Sequence, residues 1–354
     1  MQPDTLILPP LLTSDLPGVG GRIKMELEDF EVEEIPAYAP SGQGDFLYLW
    51  IEKRDMGADY FQRQVARRLG ITASDVGTAG LKDRRAVTRQ MVSVPAATEE
   101  QLGQLEGDGI RVLGASRHTN KLRPGHLHGN RFRVLIRNAR AEPAALDAIL
   151  DCLRQHGLPN YYGSQRFGRQ AGSLHQGLAL LRGEKPARPV RSPFLRKLVL
   201  SAAQSALFNH YLARRLTDGL LRSVLAGDVM AKLSFGGMFV ADDVPREQGR
   251  FDALETVTAG PIFGRKMFAA SDEAAEREVK TLDAFGFTPA SFSGFGKLLQ
   301  GTRRHNLVYV NDLAAAWESA GLRLTFTLPP GSYATVLLRE ITKTEADDGI
   351  ESTD

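Results

Sequence analysis

The stretch "GLPNYYGSQRFGRQAGSLH", residues 157–175, interrupts the pattern of the chain around it and sets the expected architecture. It is rich in glycine, aromatic and basic residues and reads as a junction rather than an element. Just before it, "EPAALDAILDCLRQHG" (142–157) is an amphipathic helix with Leu146, Ile149, Leu150 and Leu153 on one side. After it, helical patterns dominate from Ser192 to Leu225, as in "SAAQSALFNHYLARRL" (201–216). From Ala226 to Arg304 the chain holds many glycines and short apolar pieces. Then "HNLVYVNDLAAAWESAGLRLTFTL" (305–328) returns to strand, helix, strand. In "LPPGSYATVLLREIT" (328–342), Pro329-Pro330-Gly331 makes a turn and Ser332 can cap a helix. Ala334, Leu337, Leu338 and Ile341 share one face of that helix. The simplest organisation is one α/β unit over 1–157 and 307–344. A mainly helical insertion over 158–306 interrupts it, and an acidic tail over 345–354 is expected to be disordered.

Working outward toward the N-terminus, the first part reads as mixed α/β. "GRIKMELEDFEVEEI" (21–35) alternates apolar residues around a short turn. "DYFQRQVARRLGI" (59–71) has helical spacing and closes at Gly70. "AVTRQMVSVP" (86–95) is a strand ending at Pro95, and "TEEQLGQLEG" (98–107) opens with a capping pattern and reads as a helix. "NRFRVLIRN" (130–138) sets Phe132, Val134 and Ile136 against Arg131, Arg133 and Arg137, a strand with one apolar and one basic face.

A chain of 354 residues is long for one compact domain, which agrees with two units. Formal net charge is +2, but the charge is segregated. From Arg111 to Arg140 there are eight Lys/Arg and no Asp/Glu, and acids gather at 242–255 and 345–354. Such segregation suits a polyanionic partner, although a solvated basic face with no ligand explains it as well. The single cysteine, Cys152, excludes an internal disulfide and a cysteine-based zinc site, and its helical setting reads as core. His126 and His128 share a strand face without a third ligand spaced to join them, so no metal is expected. The apolar "TLILPPLL" (5–12) is short and broken by two prolines, and no membrane-spanning run is present. The expectation is a cytoplasmic protein, with a monomer favoured.

One short stretch points to chemistry. In "AGLKDRRAVTRQ" (79–90) the lone carboxylate Asp83 sits among Lys82, Arg84, Arg85 and Arg89, in the loop before a strand. Nearby cations favour the charged form of a carboxylate, and a guanidinium can fix its direction. An acid in an anion-attracting setting can have a substrate to act on. The plainer alternative is a surface ion pair of little worth. Phe132 lies in the most basic stretch and Tyr161, Tyr162 and Phe167 in a Gly/Arg-rich loop, while Phe30 follows Glu28-Asp29 and Tyr333 a Pro-Pro-Gly turn; each could stack on a base or simply pack the core. No phosphate loop, dinucleotide fingerprint or Ser/His/Asp order is present, and "GFGK" (294–297) is more readily a turn.

Taken together, these stretches resemble the TruD family of tRNA pseudouridine synthases. The match rests on "EDFEVEE" (28–34), "AGLKDRRAVTRQ" (79–90), "RHTNKLRPGHLHGNRF" (117–132), "PNYYGSQRFG" (159–168), "SAAQSALFN" (201–209) and "LPPGSYATVLLRE" (328–340), in family order. The resemblance implies an α+β fold: a pseudouridine synthase catalytic domain with a mixed or antiparallel sheet, interrupted by a mainly helical α/β insertion. It implies isomerisation of uridine to pseudouridine at position 13 in the tRNA D-arm, with no metal or organic cofactor. By motif position, Asp83 would be the catalytic aspartate. Lys24 and Phe30 would form the wall of the site, and Asn130 and Phe132 would meet the target uracil. Tyr333 takes an aromatic position that is often Phe in the family, so stacking carries over better than any polar role. Arg84, Arg131, Arg133 and Arg166 are candidate phosphate contacts. The middle of the insertion, 229–297, matches only loosely.

These residue types suit the reaction. Breaking the bond between uracil N1 and ribose C1′ builds positive charge on the sugar, which a carboxylate can stabilise or attack. One carboxylate suffices, because the base stays bound and no water needs activating. Attack on uracil C6 and proton removal at C2′ remain equally open to Asp83. Reaching the base requires a nucleotide turned out of its stack. A non-catalytic tRNA-binding or folding protein would use the same bases and aromatics, but would gain nothing from an acid at position 83. An N-glycosidase would release free uracil, and a nuclease would want a cluster of metal carboxylates.

Overall fold

The computed structural model describes residues 8–140, 142–233 and 236–344. The acidic tail 345–354 and the first half of the N-terminal apolar stretch lie outside the described residues. The first part forms β1 (Phe30–Pro36), β2 (Phe46–Arg54), α1 (Ala58–Arg68), β3 (Gly77–Thr78), β4 (Val87–Pro95), β5 (Ile110–His118), β6 (Leu127–Ile136) and α2 (Pro143–His156). The two residues of β7 (Leu158–Pro159) lead into the expected insertion. It holds α3 (Gly172–Leu181), α4 (Pro193–Thr217), β8 (Val229–Lys232), β9 (Met238–Val240), α5 (Val244–Asp252), β10 (Thr256–Ile262), α6 (Asp272–Asp283) and β11 (Thr302–His305). The chain ends with β12 (Leu307–Val308), β13 (Ala314–Glu318), β14 (Gly321–Leu328) and α7 (Ala334–Thr342).

The main sheet is mixed, in the order β13-β14-β6-β1-β4-β2-β5, with β3 beside β4. Only β1 and β4 run parallel; the other neighbours are antiparallel. Register sorts its two faces. Cα partners Val32–Thr88 and Val32–Phe132, Phe132–Phe326, and Lys53–Thr88 place these side chains on one face. On that face, β1, β6 and β14 bury Phe30, Phe132, Val134, Leu324 and Phe326 with α2 and α7. β2 and β4 bury Leu47, Leu49, Ile51, Val92 and Val94 under α1. Between the two apolar halves runs a polar strip, Lys53, Thr88 and Gln90, all buried. The opposite face carries the alternate residues, and there Glu31, Glu33 and Glu52 meet Arg89, Arg131 and Arg133.

In the interposed segment, α3 packs on α4, and Gly177 permits the contact: a Cβ there would meet the Val199 carbonyl oxygen at 2.0 Å. A second sheet, β11-β10-β8-β9, packs against α4. The fully buried Arg215 is held by Asp228 through two bonds of 2.7 and 2.9 Å. β7 and β12, at the two ends of this segment, pair with each other.

Four local expectations are corrected. "LAAAWESA" is not a helix but the edge strand β13, hairpinned to β14 with Glu318 opposite Gly321. Pairing to an existing sheet edge overrides alanine's helix preference. Residues 96–105 form 3-10 turns, not an α-helix. The Thr98 hydroxyl donates back to the Pro95 carbonyl instead of capping, and Gly103 weakens the segment. Ser332 does not cap α7. Tyr333 occupies the cap position with no side-chain bond, and the Ser332 hydroxyl donates to Asn160 Oδ1. Cys152 is half-buried beside the apolar stripe of α2 rather than in the core, and burial raises its thiol pKa.

Candidate active site

The polar strip matters because a cleft opens near it. The cleft, of about 500 Å³, is lined by Lys24, Phe30, Val32, the loop 81–85, Asn130, Phe132, Gln165 and residues 331–335. It therefore unites the first motif, the Asp83 loop, β6, the junction and the last motif. Asp83 is the one acid among the described residues of this lining.

The loop around Asp83 is anchored from below. Lys82 turns into the core, where its Nζ donates to Glu34 Oε2 at 2.7 Å, with both side chains buried. Lys53 Nζ donates to the Asp83 carbonyl at 3.0 Å and to the Met56 carbonyl at 2.5 Å. Arg85 donates to the Met25 carbonyl, and Arg84 lies 3.8 Å from Asp55. The cation facing the carboxylate thus comes from outside the motif: Lys24 Nζ lies 3.6 Å from Asp83 Oδ1. Lys24 is 7% exposed, and its Nζ stands 4.3 Å from the centroid of the Phe30 ring. Its φ of 57° is unusual for a long side chain, and such backbone strain gathers at functional sites.

The aromatic floor is a packed trio. Phe132 stacks on Phe326 at 5.1 Å and meets Phe30 edge-on at 6.1 Å. Both Phe30 and Phe132 are buried and still reach the cleft, so packing and lining are joint roles. Tyr333 is the more open ring, set edge-on to Tyr162 at 5.8 Å. Burial raises the pKa of its hydroxyl, which therefore stays protonated at neutral pH. Asn130 Oδ1 is buried without a hydrogen-bond partner. An acceptor of this kind at a cleft wall suits a donor on a bound base.

Of the basic candidates, Arg131, Arg133 and Arg166 lie apart from the cleft. Arg131 and Arg133 project from the opposite sheet face, paired with Glu33 at 3.2 Å and Glu31 at 3.7 Å. Arg166 turns toward α4, bonded to Ser201 and Ser205, while its neighbour Gln165 lines the cleft. Arg84, with a side chain 46% exposed, stands at the mouth. His126 Nδ1 is hydrogen-bonded to the Tyr38 hydroxyl at 2.7 Å. Among the described residues no group of three His, Cys, Asp or Glu side chains could hold a metal, and no helix is long and apolar enough to cross a membrane.

The sequence reading missed Lys53, although its register with Leu47, Leu49 and Ile51 was a signal that it points inward. Burial pushes its pKa down from 10.5 to about 8, with Asp83 opposing the fall and Lys82 assisting it. A lysine whose folded pKa lies below its unfolded value withholds stability while charged in both states. That stability returns as pH rises from about 8 toward 10.5, because the unfolded chain then binds the extra proton. Wild-type unfolding free energy should therefore rise over this window relative to Lys53→Met. Denaturant titrations at pH 7.5, 9 and 10 check this, and parallel curves for the two proteins would refute it.

Gly163 and Gly129 let the parts close. A Cβ at Gly163 would meet Thr335 Oγ1 at 2.7 Å, and one at Gly129 would meet the Leu328 carbonyl oxygen at 2.6 Å. Arg304 adds a bridge the sequence reading also missed. It donates to the Asn160 carbonyl (2.9 Å), Asn160 Oδ1 (2.6 Å) and the Gly331 carbonyl (2.8 Å). Its guanidinium lies 4.1 Å from the Tyr162 ring centroid.

Comparison with known proteins identifies the family. The family profile described as tRNA pseudouridine synthase D (TruD) matches residues 10–191 and 185–341. A tRNA pseudouridine synthase D of Anaeromyxobacter sp. (strain Fw109-5) is 45% identical over 344 residues, 96% of this chain and 97% of that protein. One from Thermus thermophilus is 42% identical, covering 97% of this chain and 94% of its own. The crystal structure of a putative tRNA pseudouridine synthase D from Methanosarcina mazei shares the fold, with a TM-score of 0.77 at 24% identity and 98% of each chain covered. A profile spanning almost all of the chain, and relatives matched nearly end to end at this identity, leave one conclusion: the chain belongs to the TruD family of tRNA pseudouridine synthases.

Proposed function

We propose that this protein converts uridine-13 in the tRNA D-arm to pseudouridine in the cytoplasm, with Asp83 acting on a nucleotide turned out of its stack. In this reading 1–157 and 307–344 form the catalytic unit, and 158–306 is an inserted unit that completes the cleft through Gln165. The observation that carries the reading is the lone carboxylate. Asp83 is the lone acid, among the described residues, in a cleft whose other charged groups are cations and which amides, aromatic rings and small or aliphatic side chains complete. That pattern suits a reaction in which one group breaks the N1–C1′ bond and the base never leaves. The product is an isomer: C1′ moves from N1 to C5, C5 gives up a proton and N1 gains one. No oxidant, reductant or water is consumed.

Each wall has a task. Asp83 reaches the nucleotide, and Lys24 at 3.6 Å fixes the direction of its carboxylate. Asn130 Oδ1 accepts from the uracil edge. Phe30 and Phe132 form the floor, and Tyr333 stacks on the detached base and keeps it in plane as it turns. Arg84 at the mouth meets phosphate, which positions the RNA without reading its sequence. The paired Arg131 and Arg133 carry less of this load, because Glu33 and Glu31 already neutralise them.

The direct test is to incubate the protein with unmodified total tRNA and map pseudouridine by position. Modification confined to positions other than 13 would overturn the assignment of the site. Tyr333 gives a second measurement. Tyr333→Phe should keep near-normal single-turnover rates, because the ring does the work. Tyr333→Ala should lose stacking worth roughly 1–3 kcal/mol, about a 5- to 150-fold drop. Equal activity of the Ala variant would remove Tyr333 from the site.

A further inference from the structure

Leu81 is 79% exposed, more than any other exposed large apolar side chain among the described residues. It lies two residues before Asp83 and lines the cleft. A lone exposed leucine on an outer surface means little. This one sits on a loop pinned on both sides. Ala79 is buried, and its carbonyl accepts from the Gly125 amide at 2.8 Å. Lys82 is bonded to buried Glu34, and the Asp83 carbonyl is held by Lys53. The anchors point inward, and Leu81 stands outward as a crest between them. Arg84 and Arg85, both exposed, follow on the same loop.

We propose that Leu81 is the wedge that enters the RNA stack where the target nucleotide has left it. The inference rests on the reading that Asp83 acts on a flipped nucleotide. Turning a base out leaves an apolar gap, and the unstacking costs about a few kcal/mol per step. An apolar side chain filling the gap recovers part of that cost. The geometry supplies what such a device needs: an apolar tip, a rigid base, basic neighbours for the flanking phosphates, and the reacting carboxylate two residues on. Leu81 is then a positioning residue. It sets the fraction of bound RNA in which the nucleotide is extruded and touches no reacting atom.

The test uses the full-length protein and a tRNA that the wild type modifies. A 2-aminopurine beside the modified uridine reports unstacking by fluorescence, read in the Asp83→Asn background so that no turnover intervenes. Leu81→Ala should lower the single-turnover rate on this tRNA by at least 10-fold, leave the melting temperature unchanged, and reduce the fluorescence rise at saturating protein. Leu81→Met, still long and apolar, should restore both readouts. A wild-type rate for Leu81→Ala would overturn the wedge, as would a lowered rate with an undiminished fluorescence rise, which places the defect after extrusion. Failure of the wild type itself to modify the tRNA is a separate result and counts against the proposed function instead.

Discussion

Asp83→Asn is expected to abolish pseudouridine formation while tRNA binding survives. Asparagine matches aspartate in shape and keeps one hydrogen-bonding oxygen. It cannot attack C1′ or C6, remove a C2′ proton, or stabilise positive charge on the sugar. The fold should tolerate the change. What anchors the loop is the backbone carbonyl of residue 83, held by Lys53, and the Lys82–Glu34 pair, and none of these uses the Asp83 carboxylate. Affinity should hold or tighten, because one negative charge facing phosphates has gone. Asp83→Glu separates charge from placement. It keeps the charge but shifts it by one methylene, and a misplacement of about 1 Å can cost ~100-fold in rate. A residue present only to balance Lys24 would tolerate Glu well. Single-turnover modification by wild type, Asn and Glu variants decides, with circular dichroism as the folding control. Asn activity within a few-fold of wild type would remove Asp83 from the chemistry.

The parts of the fold legible in the sequence were those whose local period and burial agree. The α2 stripe Leu146, Ile149, Leu150 and Leu153 is buried as its spacing required, and β6 shows its apolar and basic faces. The β13 edge strand was illegible, because Ala314–Glu318 has helix-forming residues and becomes a strand only by pairing with β14, which comes later in the chain. The site was legible as a set of motifs but not as an arrangement. Asp83 stood out as an acid among bases, yet the bases beside it diverge, and the cation that faces it is Lys24, some sixty residues earlier. The basic face of β6 read as a phosphate surface because its counter-charges, Glu31 and Glu33, are supplied by cross-strand register on β1. Charge counted along the chain cannot see a partner delivered by a sheet.

Arg304→Lys is expected to lose most activity although charge is kept and no proposed substrate contact is touched. Arg304 joins three parts of the molecule: β11, the junction at Asn160 and the cleft loop at Gly331. Its planar fork serves two acceptors of Asn160 and one of Gly331 while lying over Tyr162. An ammonium on a flexible stem cannot hold that geometry or that stacking. Asn160 Oδ1 would keep its Ser332 bond, but the turn before Tyr333 would lose its tie to β11. Tyr333 would then shift against Asp83, and displacement by about 1 Å is enough for a ~100-fold fall in single-turnover rate. Affinity for tRNA should change much less, since Arg304 is half-buried and committed to protein carbonyls. The signature is thus a fall in kcat with KM nearly constant, together with a modest loss of melting temperature. A merely structural role would give the reverse: a lower melting temperature with a wild-type rate below it. That outcome, in Arg304→Lys and Arg304→Met alike, would show that the insertion stabilises the cleft loop without setting its catalytic geometry.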